Sequence, residues 1–441
     1  MRMRTRWGLL VWSILTMGWS TGAWAQGGGA PPKLDTGDTA FVLLSTALVM
    51  LMTPGLALFY GGMVRRKNAL ATIMQSFICL GLIGIAWVLY GYSLAFGPDK
   101  GGLIGGLEWV GLRHVGLEPN PDYAATIPHQ AFMMYQAMFA VITPALITGA
   151  FAERMKFKTF VVFVMLWFTL VYVPVAHWVW GAGGWLRNLG ALDFAGGTVV
   201  HISSGVSALV AALLIGRRLH YPSDDMRPHN LTMTLLGTGL LWFGWFGFNA
   251  GSALGAGKLS VVAFVATNVA AAAAALAWMF LEWWDRGEPN VLGAASGAVA
   301  GLVGITPAAG FVSPVSSIFI GVGAGVACYL AVVKLRPKLG YDDSLDTFGI
   351  HGVGGIWGAL ATGLFASKLV NEAGGNGLFA GNPAQVAIQL VGVVATVVYA
   401  GVVGFALLKV LDATMGLRVD EQAEEKGLDL AEHGELAYDP L

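Results

Sequence analysis

Long apolar runs, separated by short polar segments, fill most of the chain after about residue 40. Eleven of these runs approach the ~20 residues that an α-helix needs to cross the hydrocarbon core of a bilayer. The pattern predicts an all-α polytopic membrane protein with about 11 transmembrane helices. The predicted helices cover 40–63, 71–96, 129–152, 158–180, 197–216, 231–252, 260–283, 291–311, 314–335, 346–367 and 384–410.

Composition supports a membrane protein. Of 441 residues, 56% are hydrophobic and only 12% are charged, whereas soluble domains carry about 25% charged residues. The 62 glycines suit membrane helices, in which small residues let backbones approach closely. A net charge of −1 argues against a nucleic-acid partner, because such a partner favours a basic surface.

The first 25 residues have the organisation of a secretory leader. A basic "MRMRTR" precedes the short apolar "WGLLVWSILTMGW", and Ala23 and Ala25 form a small-residue cleavage site. Residues 1–25 are therefore predicted to be a signal peptide, with a mature chain that begins near Gln26. An uncleaved first helix is the alternative. The membrane domain is then 26–411, and 412–441 form a polar tail that is either disordered or docked.

Lys and Arg predict the orientation. With the mature N-terminus outside, the predicted cytoplasmic segments hold sixteen basic residues and the opposite side holds six. This is the positive-inside asymmetry. It favours an outside N-terminus, a cytoplasmic C-terminus and an odd number of spans.

Two short segments suggest an internal repeat. "DFAGGTVVHISSGVSALV" (193–210) and "DTFGIHGVGGIWGALATG" (346–363) both begin with Asp, and each has a glycine four residues after a histidine. They fall in the fifth and tenth predicted helices, as in transporters with inverted repeats. We expect repeat halves at about 40–216 and 231–367 and one extra helix at 384–410. The repeat pairs His201 with His351 near the midplane.

Few ionisable side chains interrupt the apolar runs, and such residues usually face a cavity or a partner. His201 and His351 could each be a core histidine bonded to a backbone carbonyl. Alternatively, the two neutral imidazoles could share a hydrogen bond in a narrow pore and pass a proton. Asp193 precedes a helical run and has the pattern of an N-terminal cap. The negative charge of Asp193 could also stabilise a cation. A second acid, Asp346, lies at the mouth of another predicted helix.

Aromatic residues form a second group. A single Phe or Trp in such a chain is usually core or an interfacial anchor, yet ring faces also attract cations. The segment "GWFGFNAGS" places an amide and a hydroxyl at a helix end, where a polar ligand could be held. The candidate vestibule residues are Phe139, Trp180, Trp245, Phe248, Asn249 and Ser252.

The sequence lacks the motifs of several kinds of enzyme and cofactor site. The chain has no HExxH, no P-loop and no nucleophile–base set, so an enzyme is disfavoured and no metal or cofactor is expected. A channel for a neutral solute remains an alternative, although the paired NPA loops of water channels are absent. A sensor that resembles a transporter is a further alternative, although sensors usually append a signalling domain.

Taken together, six ordered motifs resemble the ammonium transporter / methylammonium permease / Rhesus family, in particular its bacterial branch. The resemblance covers nearly all of the chain after the leader. The motifs are "GAFAER", "DFAGGTVVHI", "PHN", "GWFGFNAGS", "GLVGITPAAG" and "FGIHGVGG".

The resemblance implies a homotrimer in the cell (inner) membrane, with one ammonium-conducting pore per subunit and methylammonium as a substrate analogue. It implies a tail that responds to PII-type signal proteins. It also assigns roles. The outer recruitment site would be formed by Phe139, Trp180 and Ser252, and the phenyl gate by Phe139 and Phe248. The pore would be lined by His201 and His351, and Asp193 would be the essential acid. Trp245 and Thr306 would be supporting residues.

These roles give a mechanistic hypothesis. Ammonium is recruited by the aromatic site and deprotonated near the gate. Ammonia then crosses the hydrophobic pore, while the proton moves separately by way of Asp193, His201 and His351. Conduction of ammonia alone, without charge transfer, is the alternative.

Overall fold

The computed structural model describes residues 33–223 and 225–438, so the predicted signal peptide lies outside the described residues. Within these ranges, ten helices are long and apolar enough to cross a membrane, and an eleventh apolar helix is shorter. We number them α1 to α11: Thr36–Met63, Arg66–Phe96, His129–Phe151, Phe157–Leu189, Gly197–Ile215, Leu231–Ala253, Lys258–Arg286, Val291–Ile305 (the shorter one), Pro314–Leu339, Phe348–Phe365 and Ala384–Met415.

Smaller elements complete the fold. A two-stranded antiparallel sheet, β1 (Asp99–Lys100) and β2 (Ile104–Gly105), lies between α2 and α3. Two short helices, α12 (Glu421–Lys426) and α13 (Leu428–Glu432), follow α11. We call the face that carries them the tail face.

The predicted helix at 291–311 is too long. Helix α8 ends at Ile305, because Pro307 has no backbone N–H to continue the ladder. The predicted extra helix at 384–410 continues instead to Met415. Elsewhere, the ends of the predicted helices lie within a few residues of the observed ones, apart from α4, which continues past a break at Gly181 to Leu189.

Helices α5 and α10 both open with a π-helical turn. These turns cover Gly197–Ile202 and Phe348–Gly352, and each contains one of the paired histidines. Single π-helical turns are often found at functional sites. This shared local structure supports the predicted correspondence between the two segments.

Small residues bring α5 and α10 together. A Cβ at Gly205 would stand 2.2 Å from the backbone nitrogen of Gly352, and a Cβ at Gly355 would stand 3.0 Å from Cβ of His201. The two glycines found by the repeat therefore lie where the helices cross. Helices α1 and α6 also pack on one another, as do α7 and α8. Large apolar side chains remain exposed on the outer helix surfaces, as a bilayer requires.

The described part of the tail is docked on the helices rather than disordered, which were the two possibilities that the sequence left open. The Oδ1 atom of Asp429 accepts a hydrogen bond from the backbone N–H of Ala71 at 2.8 Å. The Oε1 atom of Glu424 accepts a hydrogen bond from the backbone N–H of Leu219, in the segment after α5, at 2.8 Å. Near the end of the described chain, the Tyr438 hydroxyl lies 3.0 Å from Nε2 of His229. These contacts hold the tail against the helix ends of this face.

Candidate functional site

An aromatic cavity opens on the face opposite the tail. Phe139, Trp180 and Ser252 all line it, within a volume of about 200 Å³. The Phe139 and Trp180 rings meet edge to face, with centroids 5.9 Å apart. The Ser252 hydroxyl donates to the Phe248 carbonyl at 2.9 Å and lies 3.1 Å from the Tyr135 hydroxyl, which leaves at least one of its lone pairs available. We call this cavity the vestibule.

Two phenyl rings close the inner end of the vestibule. The centroids of Phe139 and Phe248 are 4.2 Å apart, with 30° between the ring planes. Both residues are at most 1% exposed. Phe139 lines the vestibule, whereas Phe248 lines a second cavity that contains both histidines. The phenyl pair therefore separates the two cavities.

The second, inner cavity is narrow and almost wholly apolar. Its volume available to the centre of a water-sized molecule is about 10 Å³, which is about the least that one water needs. The structure brings His201 and His351 together on its wall. Their Nδ1 atoms are 3.2 Å apart, and their ring planes are inclined by 18°.

The contact between the two Nδ1 atoms constrains protonation. When both rings are neutral, one Nδ1 must carry a hydrogen and the other must accept it. The two Nε2 atoms are then opposite in character, one a donor and one an acceptor. Nε2 of His201 is buried and has no hydrogen-bond partner, so it is available to a molecule in the cavity. The alternative of two separate core histidines, each bonded to a carbonyl, does not describe this pair.

Trp245 supports the first histidine. Its indole stacks on the His201 ring at 5.5 Å between centroids and 19° between planes. Its Nε1 donates to the Thr306 hydroxyl at 2.9 Å, which in turn donates to the carbonyl of Leu302. This chain fixes the plane of the imidazole.

Asp193 is a cap, as its sequence position predicted. Its Oδ1 accepts from the backbone N–H groups of Gly196 and Gly197, each at 2.7 Å. Its Oδ2 accepts from both the backbone N–H and the hydroxyl of Thr198. Gly196 has φ +115°, a left-handed conformation that favours glycine, and this turn brings the N–H groups onto the carboxylate.

The same aspartate also holds the vestibule wall. Its backbone carbonyl accepts a hydrogen bond from Nε1 of Trp180 at 2.9 Å. Asp193 therefore orders the start of α5 with its side chain and the vestibule tryptophan with its backbone.

Two predicted supporting residues lie apart from this pathway. Asn249 donates from Nδ2 to the Thr267 hydroxyl at 2.9 Å, which links α6 to α7. Asp346 pairs with Arg336 at 2.5 Å and lines a separate cavity near the tail face. The structure does not bring either of them into contact with the histidine pair.

Three further residues of the pathway were missed by the sequence analysis. The Tyr135 hydroxyl lies 3.1 Å from that of Ser252, Gln136 lines the vestibule with an unpartnered Oε1, and Thr198 caps Asp193. Tyr135 and Gln136 precede Phe139 by four and three residues, which places all three on one helix face. This spacing is the feature of the sequence from which Tyr135 and Gln136 could have been predicted.

Comparison with known proteins identifies the family of this chain. The profile of the Ammonium Transporter Family matches residues 40–438. The chain belongs to the ammonium transporter family. It is 55% identical over 405 residues to an ammonium transporter of Bacillus subtilis, with 92% of this chain and 99% of that protein covered.

Solved structures of this family also match. The crystal structure of Saccharomyces cerevisiae Mep2 superposes with a TM-score of 0.83 at 39% identity, with 88% of this chain and 89% of Mep2 covered. A structure described as a sensor Amt protein gives 0.84 at 30% identity, with 90% and 98% covered. The family is one of transporters and channels rather than enzymes, so the described cavities belong to a multi-pass membrane protein that transports ammonium.

Proposed function

We propose that this ammonium transporter recruits ammonium in the vestibule, removes a proton there and conducts ammonia past His201 and His351. The observation that carries the proposal is the pair of Nδ1 atoms at 3.2 Å on the wall of a narrow cavity of about 10 Å³. The proton crosses separately, so each cycle transfers net charge.

Recruitment follows from the vestibule wall. The faces of Phe139 and Trp180 attract a cation, and the Ser252 oxygen accepts an ammonium N–H. The vestibule is large enough for a hydrated ion, at about 200 Å³. The phenyl pair beneath it is closed, so the substrate must lose its water and its extra proton, and it passes the pair as ammonia.

Selectivity follows from the inner cavity. A potassium ion of similar size would lose its hydration there without compensation, because the lining is apolar. Ammonia is uncharged and has both N–H donors and a lone pair. It can therefore use the opposite Nε2 groups of the two imidazoles.

The proton needs a separate route. All the near acceptor positions of the Asp193 carboxylate are engaged by hydrogen bonds, so we propose that this acid acts through its fixed negative charge at the vestibule. The proton that ammonium releases is accepted by the linked imidazoles of His201 and His351 and passes between their Nδ1 atoms. Neutral conduction of ammonia is the alternative.

We further propose that the protein is a homotrimer in the cell (inner) membrane, with its vestibule outside and its tail face in the cytoplasm. The basic residues of the predicted cytoplasmic segments support this orientation. The exposed apolar helix surfaces provide for both lipid and subunit contacts. The docked tail offers a surface to a PII-type signal protein.

A sensor is the second candidate function. The likeness to a sensor Amt protein, at a TM-score of 0.84, favours it over a neutral-solute channel. In a sensor, ammonium binding at the vestibule would change the contacts of the tail, with little flux through the narrow cavity.

Two measurements test the proposal. In cells deficient in ammonium transport, the wild-type chain should restore methylammonium uptake, and His201→Ala and Asp193→Ala should abolish it. In a reconstituted bilayer, ammonium should evoke a saturable current. Uptake without current would support neutral conduction of ammonia. The absence of both uptake and current would favour the sensor.

A further inference from the structure

Both ring nitrogens of His177, in α4, lie against oxygens of other segments. Nδ1 is 2.8 Å from the carbonyl oxygen of Ala95, and Nε2 is 2.9 Å from Oδ1 of Asp99. A backbone carbonyl and a carboxylate can only accept hydrogen bonds, whereas a neutral imidazole has a hydrogen on one nitrogen and a lone pair on the other. Only the doubly protonated imidazolium can donate to both oxygens at once.

The surroundings of His177 favour this charged ring. The Asp99 side chain is 31% exposed, and its hydrogen bond with His177 holds the pKa of this carboxyl below its ordinary value. Its Oδ1 also accepts from the backbone N–H of Gly102 at 2.7 Å. Ala95 lies in the last turn of α2, where carbonyls lack helical partners and the helix dipole favours a cation. His177 is fully buried, so Asp99 rather than water balances its charge.

Ionisable groups on the other elements packed around His177 bond elsewhere. These bonds join Tyr92 to His129, Lys100 to Glu108, Tyr123 to the Phe96 carbonyl, Arg187 to the Trp180 carbonyl, Asp193 to Gly196 and His201 to His351. Asp99 is therefore the acid that determines the charge of His177.

His177 also connects two walls of the vestibule. Phe96 and Trp180 both line this cavity. Phe96 directly follows Ala95, and Trp180 follows His177 by three residues, on the same face of α4. The bond to Ala95 ties the end of α2 to α4, and the bond to Asp99 ties the hairpin of β1 and β2 to the same turn. Loss of either bond would free the Trp180 wall to move relative to Phe96.

We propose that His177 is a positioning residue of the vestibule, whose imidazolium, paired with Asp99, holds the aromatic walls in the arrangement that captures ammonium. Raising the pH on the vestibule side removes one of its two ring protons. An unprotonated nitrogen then faces an oxygen that cannot donate, so one bond is lost and the affinity of the vestibule falls. This inference rests on the proposed recruitment of ammonium in the vestibule.

The charge of His177 is tested by solid-state NMR of the full chain in lipid vesicles, with ¹⁵N-labelled histidine and ¹³C-labelled aspartate. Among the described residues, His177 is the histidine that pairs with an aspartate, so transfer from the ¹³C label identifies its signal without a variant. We expect both ring nitrogens of the wild type to be protonated at about pH 7. An unprotonated nitrogen at this pH would overturn the inference.

The positioning role is tested by the apparent KM for methylammonium added on the vestibule side. Methylammonium is an amine cation like that of lysine, whose pKa is about 10.4, so it stays charged between about pH 6 and about pH 9. Over this range we expect the wild-type KM to rise at least about fivefold and that of Asp99→Asn to change less than about twofold. The asparagine amide can donate to an unprotonated Nε2 in place of accepting from Gly102. Glu108→Gln, which removes an exposed carboxylate just after β2, is the matched control and should follow the wild type.

A wild-type KM that stays constant over this range, or an equal rise in Asp99→Asn, would overturn the inference. If Asp99→Asn is not recovered as folded protein, the wild type decides the question, because its KM must rise at the pH at which the NMR signal shows that one ring proton is lost. If the wild type takes up no methylammonium at any pH, the proposed function fails instead, whereas the NMR measurement still determines the charge of His177.

Discussion

His201 and His351 are separated by 150 residues in sequence, yet their Nδ1 atoms lie 3.2 Å apart between helices that cross at glycine. Because one Nδ1 must donate to the other, the protonation of either ring determines the tautomer of its neighbour. The pair therefore behaves as one unit toward a molecule in the narrow cavity.

The first prediction concerns this unit. His351→Ala removes one ring and leaves Nδ1 of His201 buried without a partner, which typically costs about 1–3 kcal/mol. We expect methylammonium uptake to fall at least about tenfold. His220→Asn, in an exposed loop, should leave uptake unchanged. Normal uptake by a folded His351→Ala protein would show that the pair is not part of the pathway.

The pairing of the two histidines could be predicted from sequence because each lies four residues before a glycine in one of two similar segments. The cap at Asp193 and the helix positions followed from residue type and spacing, whereas the roles of the aromatic wall were implied by the family resemblance. The π-helical turns could not be predicted, since no residue pattern distinguishes Gly197–Ile202 from ordinary helix.

Contacts between segments that are distant in the chain also could not be predicted from the sequence. In the sequence, Glu282 is only a polar residue near the end of an apolar run, and the structure is needed to show that its carboxylate packs against Gly293. Asp346 reads as the partner of Asp193 in the repeat, yet its carboxylate pairs with Arg336 rather than with backbone N–H groups.

The second prediction concerns Asp193. In Asp193→Asn, an amide NH₂ would face backbone N–H groups that now donate to a carboxylate oxygen. We expect the free energy of unfolding to fall by about 1–3 kcal/mol and uptake to fall at least about tenfold. Thr198→Val removes one donor but keeps the charge, so it should lower stability with a smaller loss of uptake. Equal losses of uptake in both variants would mean that cap geometry, rather than charge, is what transport requires.

The third prediction concerns recruitment. Ser252→Ala removes an acceptor oxygen from the vestibule but leaves the phenyl pair in place. We expect the KM for methylammonium to rise about threefold to tenfold while the maximal rate stays within about twofold, as expected when binding alone is weakened. Ser223→Ala, whose hydroxyl lies in an exposed loop, is the control. A fall in maximal rate at constant KM would place Ser252 in the conduction step instead.

The last prediction is a pH dependence of stability. Asp343 lies outside the membrane helices, and its burial, together with the nearby Asp346 carboxylate, raises its pKa from 3.8 to about 7. The folded protein therefore retains a proton that the unfolded chain releases above about pH 4, so stability falls as the pH rises from about 4 to about 7 and then levels off.

Asp343→Asn mimics the protonated form and keeps an oxygen for the backbone N–H of Phe348. We expect this variant to lose less thermal stability than the wild type between pH 5 and pH 8, whereas the exposed Glu421→Gln should follow the wild type. Parallel curves for all three proteins would show that Asp343 is ionised throughout this range and that its carboxylate is stabilised by Arg336.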